Sequence, residues 1–145
     1  MTAGLVGSWT FWALLSAVFA ALTAIFGKIG VAGVDSDVAT FIRTVVILLT
    51  LGLILLVLGK FHSPGPLDTR TWAFLILSGL ATGASWICYY RALKLGPAAL
   101  VAPIDKLSVV LVALFGVTLL GEQLTGRQWL GVALVGAGAV VLALP

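Results

Sequence analysis

VATFIRTVVILLTLGLILLVL, residues 38–58, contains a single charged side chain, Arg43, and no proline. At about 1.5 Å of rise per residue, a helix of this length covers the roughly 30 Å hydrocarbon core of a bilayer. Its apolar side chains fall on every face rather than along one stripe, the pattern of a helix surrounded by lipid instead of water. The stretch therefore reads as a transmembrane span.

Working outward, comparable runs occupy residues 9–29, 71–93, 98–120 and 128–144, so the sequence predicts an all-α integral membrane protein with five transmembrane helices in a single domain over residues 1–145. Composition agrees, with 61% apolar and 9% charged residues and a mean hydropathy of +1.22, against roughly 25% charged residues in soluble domains. No Lys or Arg precedes Trp9, so the first run lacks the basic segment of a signal peptide and is expected to remain as a helix. The net charge of +3 does not point to nucleic acid, because the basic residues are dispersed and mostly sit where helices meet headgroups. Cys88 is the only cysteine, which excludes an intrachain disulfide, and its place in an apolar run predicts a small packing residue.

The joints between runs carry helix-start chemistry. Asp35, Ser36 and Asp37 can cap the second span and Asp68 or Thr69 the third, since their oxygens accept orphan backbone N–H groups. Gly96-Pro97 opens the fourth, with proline expected at the first helical position, and Thr125-Gly126-Arg127-Gln128 has capping-box spacing for the fifth. The longest connection, residues 59–70, holds Lys60, His62, Ser63, Pro64, Gly65, Pro66 and Asp68 and is expected outside the membrane. His62 has no metal-binding companion there and is read as a surface residue.

Basic residues near helix ends normally set orientation. Here Lys60, Arg70 and Arg127 fall on one side and Lys28, Arg43, Arg91 and Lys94 on the other, a bias of three against four. So even a balance permits insertion both ways up, and two opposed copies would form an inverted-repeat assembly. A single orientation fixed by local effects or by a partner is the competing reading.

The fourth span contains Pro103-Ile104-Asp105-Lys106. Lys106 lies roughly 12 Å from the span's start, near the membrane midplane. Insertion scales put a Lys or Asp there at about 2.5–3.5 kcal/mol each, so both require a partner or a wet cavity. Pro103 has no N–H for the Ala99 carbonyl, which breaks the helix ladder beside them. Either Asp105 and Lys106 contact solute or ion, or they form a structural pair between helices or copies, and both readings face them inward.

The third span adds Ser85, Trp86 and Tyr89, so the candidate solute-contact set is Pro103, Asp105, Lys106, Ser85, Trp86 and Tyr89. Trp86 and Tyr89 can grip a solute, or can join Tyr90, Arg91 and Lys94 in an interfacial belt, to which Tyr90 is assigned. Gly79 and Gly83 have the spacing that lets membrane helices approach closely, as do Ser16, Ala20 and Ala24. Lys28 and Arg43 can snorkel toward the headgroups, Arg43 being the one with an alternative functional reading. There is no Gly-rich phosphate loop, metal-ligand cluster or Ser/His/Asp set, hence no expected catalytic residue, metal or cofactor.

Arg91-Ala92-Leu93 with Gly96-Pro97-Ala98, then Leu120-Gly121-Glu122-Gln123-Leu124-Thr125, then Gln128 with Gly131, Gly136 and Gly138, resemble the end of an EamA-type domain of the drug/metabolite transporter superfamily. The number and spacing of spans extend the resemblance over nearly the whole chain. Most relatives fuse two such five-helix units, so the resemblance implies half of an inverted-repeat transporter that pairs antiparallel with a second copy or with a sibling unit. It further implies a multi-pass protein of the cell membrane, in a prokaryote the inner membrane, in contact with lipid. A small metabolite or drug-like solute would move by alternating access through a cavity lined by the first, third and fourth helices, without covalent chemistry. The small multidrug-resistance proteins are similar in scale but use a membrane glutamate in their first helix, whereas this first span holds no acid. Glu122 is read as a cap or as a partner of Arg127. A membrane subunit that assembles or regulates a partner without transporting is the alternative function.

Overall fold

The computed structural model describes residues 7–61 and 67–144, which form helices joined by short turns. His62, Ser63, Pro64, Gly65 and Pro66 lie outside the described residues, and so does the surface reading of His62. The helices are α1 (Trp9–Gly30), α2 (Ser36–Val57), α3 (Thr69–Leu95), α4 (Ala98–Asp105), α5 (Ser108–Leu119) and α6 (Gly126–Ala143). With α4 and α5 taken together, five stretches are long and apolar enough to cross a membrane. Large apolar residues remain uncovered along them, among them Leu48 at 70% and Phe41 at 70% exposure, as lipid-facing surface requires.

The chain folds as two compact units, Phe26–Lys94 and the segments on either side of it. In the first unit, α2 starts at an Asp35 cap whose carboxylate accepts from the Asp37 and Val38 N–H groups at 2.9 and 3.2 Å. Ser36 and Thr40 are buried just above it, and Val31, Tyr90 and Leu93 form the apolar centre of this end. Gly27 permits that packing. A Cβ there would lie 3.0 Å from the Tyr90 hydroxyl and 3.3 Å from Leu93 Cδ1. Tyr90 is only 4% exposed, so the sequence expectation that placed it in an interfacial belt is corrected: the missing side chain of Gly27 makes a slot that draws the ring inward.

In the second unit α6 packs against both α4 and α5. Ala113 and Ala139 are buried, and Gly136 brings α6 so near α5 that a Cβ there would meet Val110 Cγ2 at 2.9 Å. Small residues of this kind let membrane helices gain van der Waals contact where no hydrophobic force between helices exists. Thr125 caps α6 with the expected reciprocal box, the Gln128 side chain accepting from the Thr125 N–H at 2.7 Å. After α5, Gly121 adopts φ 69°, and the N–H groups of Leu120 and Glu122 close on the Gly116 carbonyl at 3.2 and 3.0 Å. The left-handed turn explains the glycine in Leu120-Gly121-Glu122.

Pro97 stands at the N-cap of α4, one position before the expected one, and its carbonyl accepts from Leu100 and Val101. A Cβ at Gly79 or Gly83 meets nothing within 4 Å among the described residues, so the unit formed by Phe26–Lys94 does not itself fill the expected packing role of this ridge. Cys88, expected to pack, is exposed.

Candidate functional site

Two places bring charged side chains of the spans into contact with partners. The first lies where α1 turns into α2 and α3 ends. α2 and α3 carry opposite charges at matching ends, and the Arg91 guanidinium grips Asp37 through two hydrogen bonds, Nε to Oδ1 at 2.9 Å and Nη2 to Oδ2 at 2.6 Å. Lys94 donates to the Val34 carbonyl at 2.7 Å, and Lys28 to the Leu93 carbonyl at 2.5 Å. Cations at the C-terminus of α3 also face the negative end of its dipole. Lys28, Arg91 and Lys94 are thus all engaged at one end of this unit.

About one and a half helical turns further in from Asp37 along α2 sits Arg43, some 10 Å from the helix start. A corresponding step back from Arg91 along α3 reaches Trp86. Arg43 does not follow the snorkelling expectation. Its guanidinium carbon lies over the Trp86 ring, 2.7 Å from the centroid, and 5.3 Å from that of Tyr90. Ring faces attract a cation by their negative quadrupole, worth about 2 kcal/mol when desolvated. Ring faces accept no in-plane N–H bond, and Nη1 of Arg43 is buried without a hydrogen-bond partner among the described residues. The hydroxyls along the same stretch of α2 spend their hydrogens locally, Thr40 on the Ser36 carbonyl and Thr44 on that of Thr40, each at 2.8 Å. A buried donor left so costs about 1–3 kcal/mol, more when charged.

The second place is the break in the fourth span. The expected interruption is present, but it begins three residues after Pro103: α4 continues through the proline to Asp105 and the chain turns at Lys106 and Leu107. There the ladder tightens to three-residue steps, Lys106 N–H to the Pro103 carbonyl at 3.0 Å and Leu107 N–H to that of Ile104 at 3.0 Å. At that turn Lys106 Nζ lies 3.2 Å from Asp105 Oδ2. Their side chains keep 54% and 37% exposure for lysine and aspartate, so the pair is open along one edge.

Of the residues singled out from the sequence, Pro103, Asp105 and Lys106 come together at this turn, and Trp86 joins Arg43. Tyr89 is half-buried with its ring centroid 6.4 Å from that of Tyr90, and Ser85 is exposed. Sequence patterning singles out Trp86 without its cation. The Asp37–Arg91 ion pair links the same two helices one to two turns away, and that pairing shows only in the structure. Glu122 folds back over α5, its carboxylate where a Cβ on Gly116 would be, instead of pairing with Arg127.

A comparison with protein families matches residues 7–144 to the EamA-like transporter family. The chain belongs to that family. The match covers every span described above, so the EamA-like resemblance read from the Leu-Gly-Glu segment holds for the whole domain. An uncharacterized transporter in the cobO 3′ region of Sinorhizobium sp. is 62% identical over 137 residues, covering 94% of this chain and 97% of that protein. No solved structure matches the chain. As a multi-pass EamA-like protein it resides in a membrane, and its bacterial relative points to the cell membrane. The family and this relative support a transporter role.

Proposed function

We propose that two copies of this chain, inserted in opposite orientations, move a small metabolite or drug-like solute across the membrane by alternating access. A sibling five-helix unit can take the place of the second copy. The observation that carries this reading is the break at Lys106-Leu107 inside the fourth span of an EamA-like domain, with an acid and a base held open beside it. Half-helices of this kind expose backbone and charge only where protein or a wet cavity covers them. Pro103, Asp105 and Lys106 would bind solute or a coupling proton, with Ser85, Trp86 and Tyr89 contributing from the third span. The uncovered Gly79 and Gly83 ridge offers the close-approach surface a second copy needs, and the near-even basic residues allow both orientations.

Liposomes loaded with a small-metabolite extract and containing the purified protein test this while the solute is still unidentified. Mass spectrometry of the outside solution should show selective release that protein-free liposomes lack. Lys106→Met should abolish it while the protein still elutes as a pair. Release unchanged in Lys106→Met would remove Lys106 from the pathway, and no release from the parent protein would remove transport itself.

A further inference from the structure

Arg43 is the unexplained charge of the unit formed by Phe26–Lys94. The two ion pairs among the described residues, Arg91 with Asp37 and Lys106 with Asp105, leave it out. The acids of this unit are otherwise engaged or distant in sequence: Asp35 caps α2, Asp37 is held by Arg91, and Asp68 lies before α3 with its carbonyl accepting from Trp72. A guanidinium stays protonated under any ordinary condition, so Arg43 cannot relieve its burial by neutralising. Trp86 and Tyr90 lie against the guanidinium. Neither ring offers an acceptor to Nη1, which is enclosed without a hydrogen-bond partner among the described residues. A guanidinium held on aromatic rings with an unsatisfied donor fits a planar anion that takes two parallel N–H bonds.

We propose that Arg43, clamped by Trp86 and Tyr90, is the anchor for the carboxylate of an anionic or zwitterionic solute. This rests on the transporter reading above and narrows its substrate class. The carboxylate would accept from Nη1 and a neighbouring guanidinium nitrogen, while the Trp86 ring holds the arginine from behind. A lipid headgroup is the weaker occupant, because the unsatisfied donor is enclosed rather than turned outward. Lys28, Arg91 and Lys94, already engaged, leave Arg43 as the cation at this end whose unmet donor calls for a visiting anion.

The test measures equilibrium binding, so that it stands apart from flux. The parent protein in phosphatidylcholine nanodiscs, which carry no net anionic lipid, is titrated with acetate and benzoate and with their neutral isosteres acetamide and benzamide. Tighter binding of the acids is expected, with Arg43→Gln weakening it by at least about tenfold, the worth of one charged hydrogen bond. Arg127→Gln should leave it unchanged. Protection of Arg43 in the parent protein from phenylglyoxal by benzoate but not benzamide, mapped by mass spectrometry, needs no variant and guards against misfolding of Arg43→Gln. Equal binding of acid and amide, equal affinity in Arg43→Gln, or absence of protection overturns the proposal. Protection by phosphatidylglycerol nanodiscs in place of benzoate would assign the site to a headgroup and overturn it too, as would dissociation of the pair in Arg43→Gln with no carboxylate effect, which would make a partner's acid the occupant. Arg43-dependent benzoate binding in a protein that releases nothing from liposomes would refute the transport reading and leave the anion site standing.

Discussion

Gly27→Val should unseat the apolar centre that holds Tyr90 in place. A Cβ at Gly27 already falls 3.0 Å from the Tyr90 hydroxyl, 3.2 Å from its Cζ and 3.3 Å from Leu93 Cδ1, and valine adds two branches at the same point. Neither neighbour can retreat cheaply, since Tyr90 is 4% and Leu93 0% exposed. Overpacking of this kind costs about 1–3 kcal/mol. Valine recovers only about 0.3 kcal/mol of that through better helix propensity than glycine. The net loss should be about 1–3 kcal/mol, read as a lowered denaturation midpoint in a titration from mild detergent into dodecyl sulfate. Gly30→Val is the control, because nothing lies within 4 Å of a Cβ there, and it should change stability little. Tyr90→Phe removes the nearest contact and should restore part of the loss in the double variant, giving a coupling of about 0.5–3 kcal/mol. Full stability in Gly27→Val, or equal losses at Gly27 and Gly30, would refute the Tyr90 slot.

Thr125→Ala removes the hydroxyl that accepts from the Gln128 N–H at the start of α6, leaving only the Thr125 N–H bond to the Gln128 side chain, and a loss of about 0.5–2 kcal/mol is expected in the same unfolding titration. Gly136→Ala and Gly138→Ala should part company: a Cβ at Gly136 meets Val110 Cγ2 at 2.9 Å, whereas nothing lies near Gly138. The first should destabilise and the second gain up to about 1 kcal/mol of helix propensity, which a side-by-side denaturation of the two variants checks.

The membrane class, the spans and the caps were legible because they follow from local chemistry. Twenty or so apolar residues must cross a bilayer, Asp35 has the oxygen that α2 lacks, and Thr125 with Gln128 has the spacing of a box. Pro103 marked the broken span correctly in place but not in detail. A proline disturbs the turn before it, yet the tightened turn falls after it at Lys106-Leu107, beside the ion pair of Asp105 and Lys106. Tyr90 and Arg43 were not legible for a different reason. Both carry the residue types of a membrane interface, and only the tertiary pairing of α2 with α3, with Gly27 open beneath the ring, turns them inward. Glu122 illustrates the same limit, since Arg127 is a natural partner by charge while the turn at Gly121 sends the carboxylate back over Gly116.

Opposed insertion of two copies is tested most directly by a cysteine placed at Ser63, in the polar connection between the second and third spans, with Cys88 replaced by alanine. An impermeant thiol reagent is applied to intact cells and then to opened ones. Labelling of a substantial fraction from each face is the expected result, and labelling confined to one face would contradict the antiparallel pair.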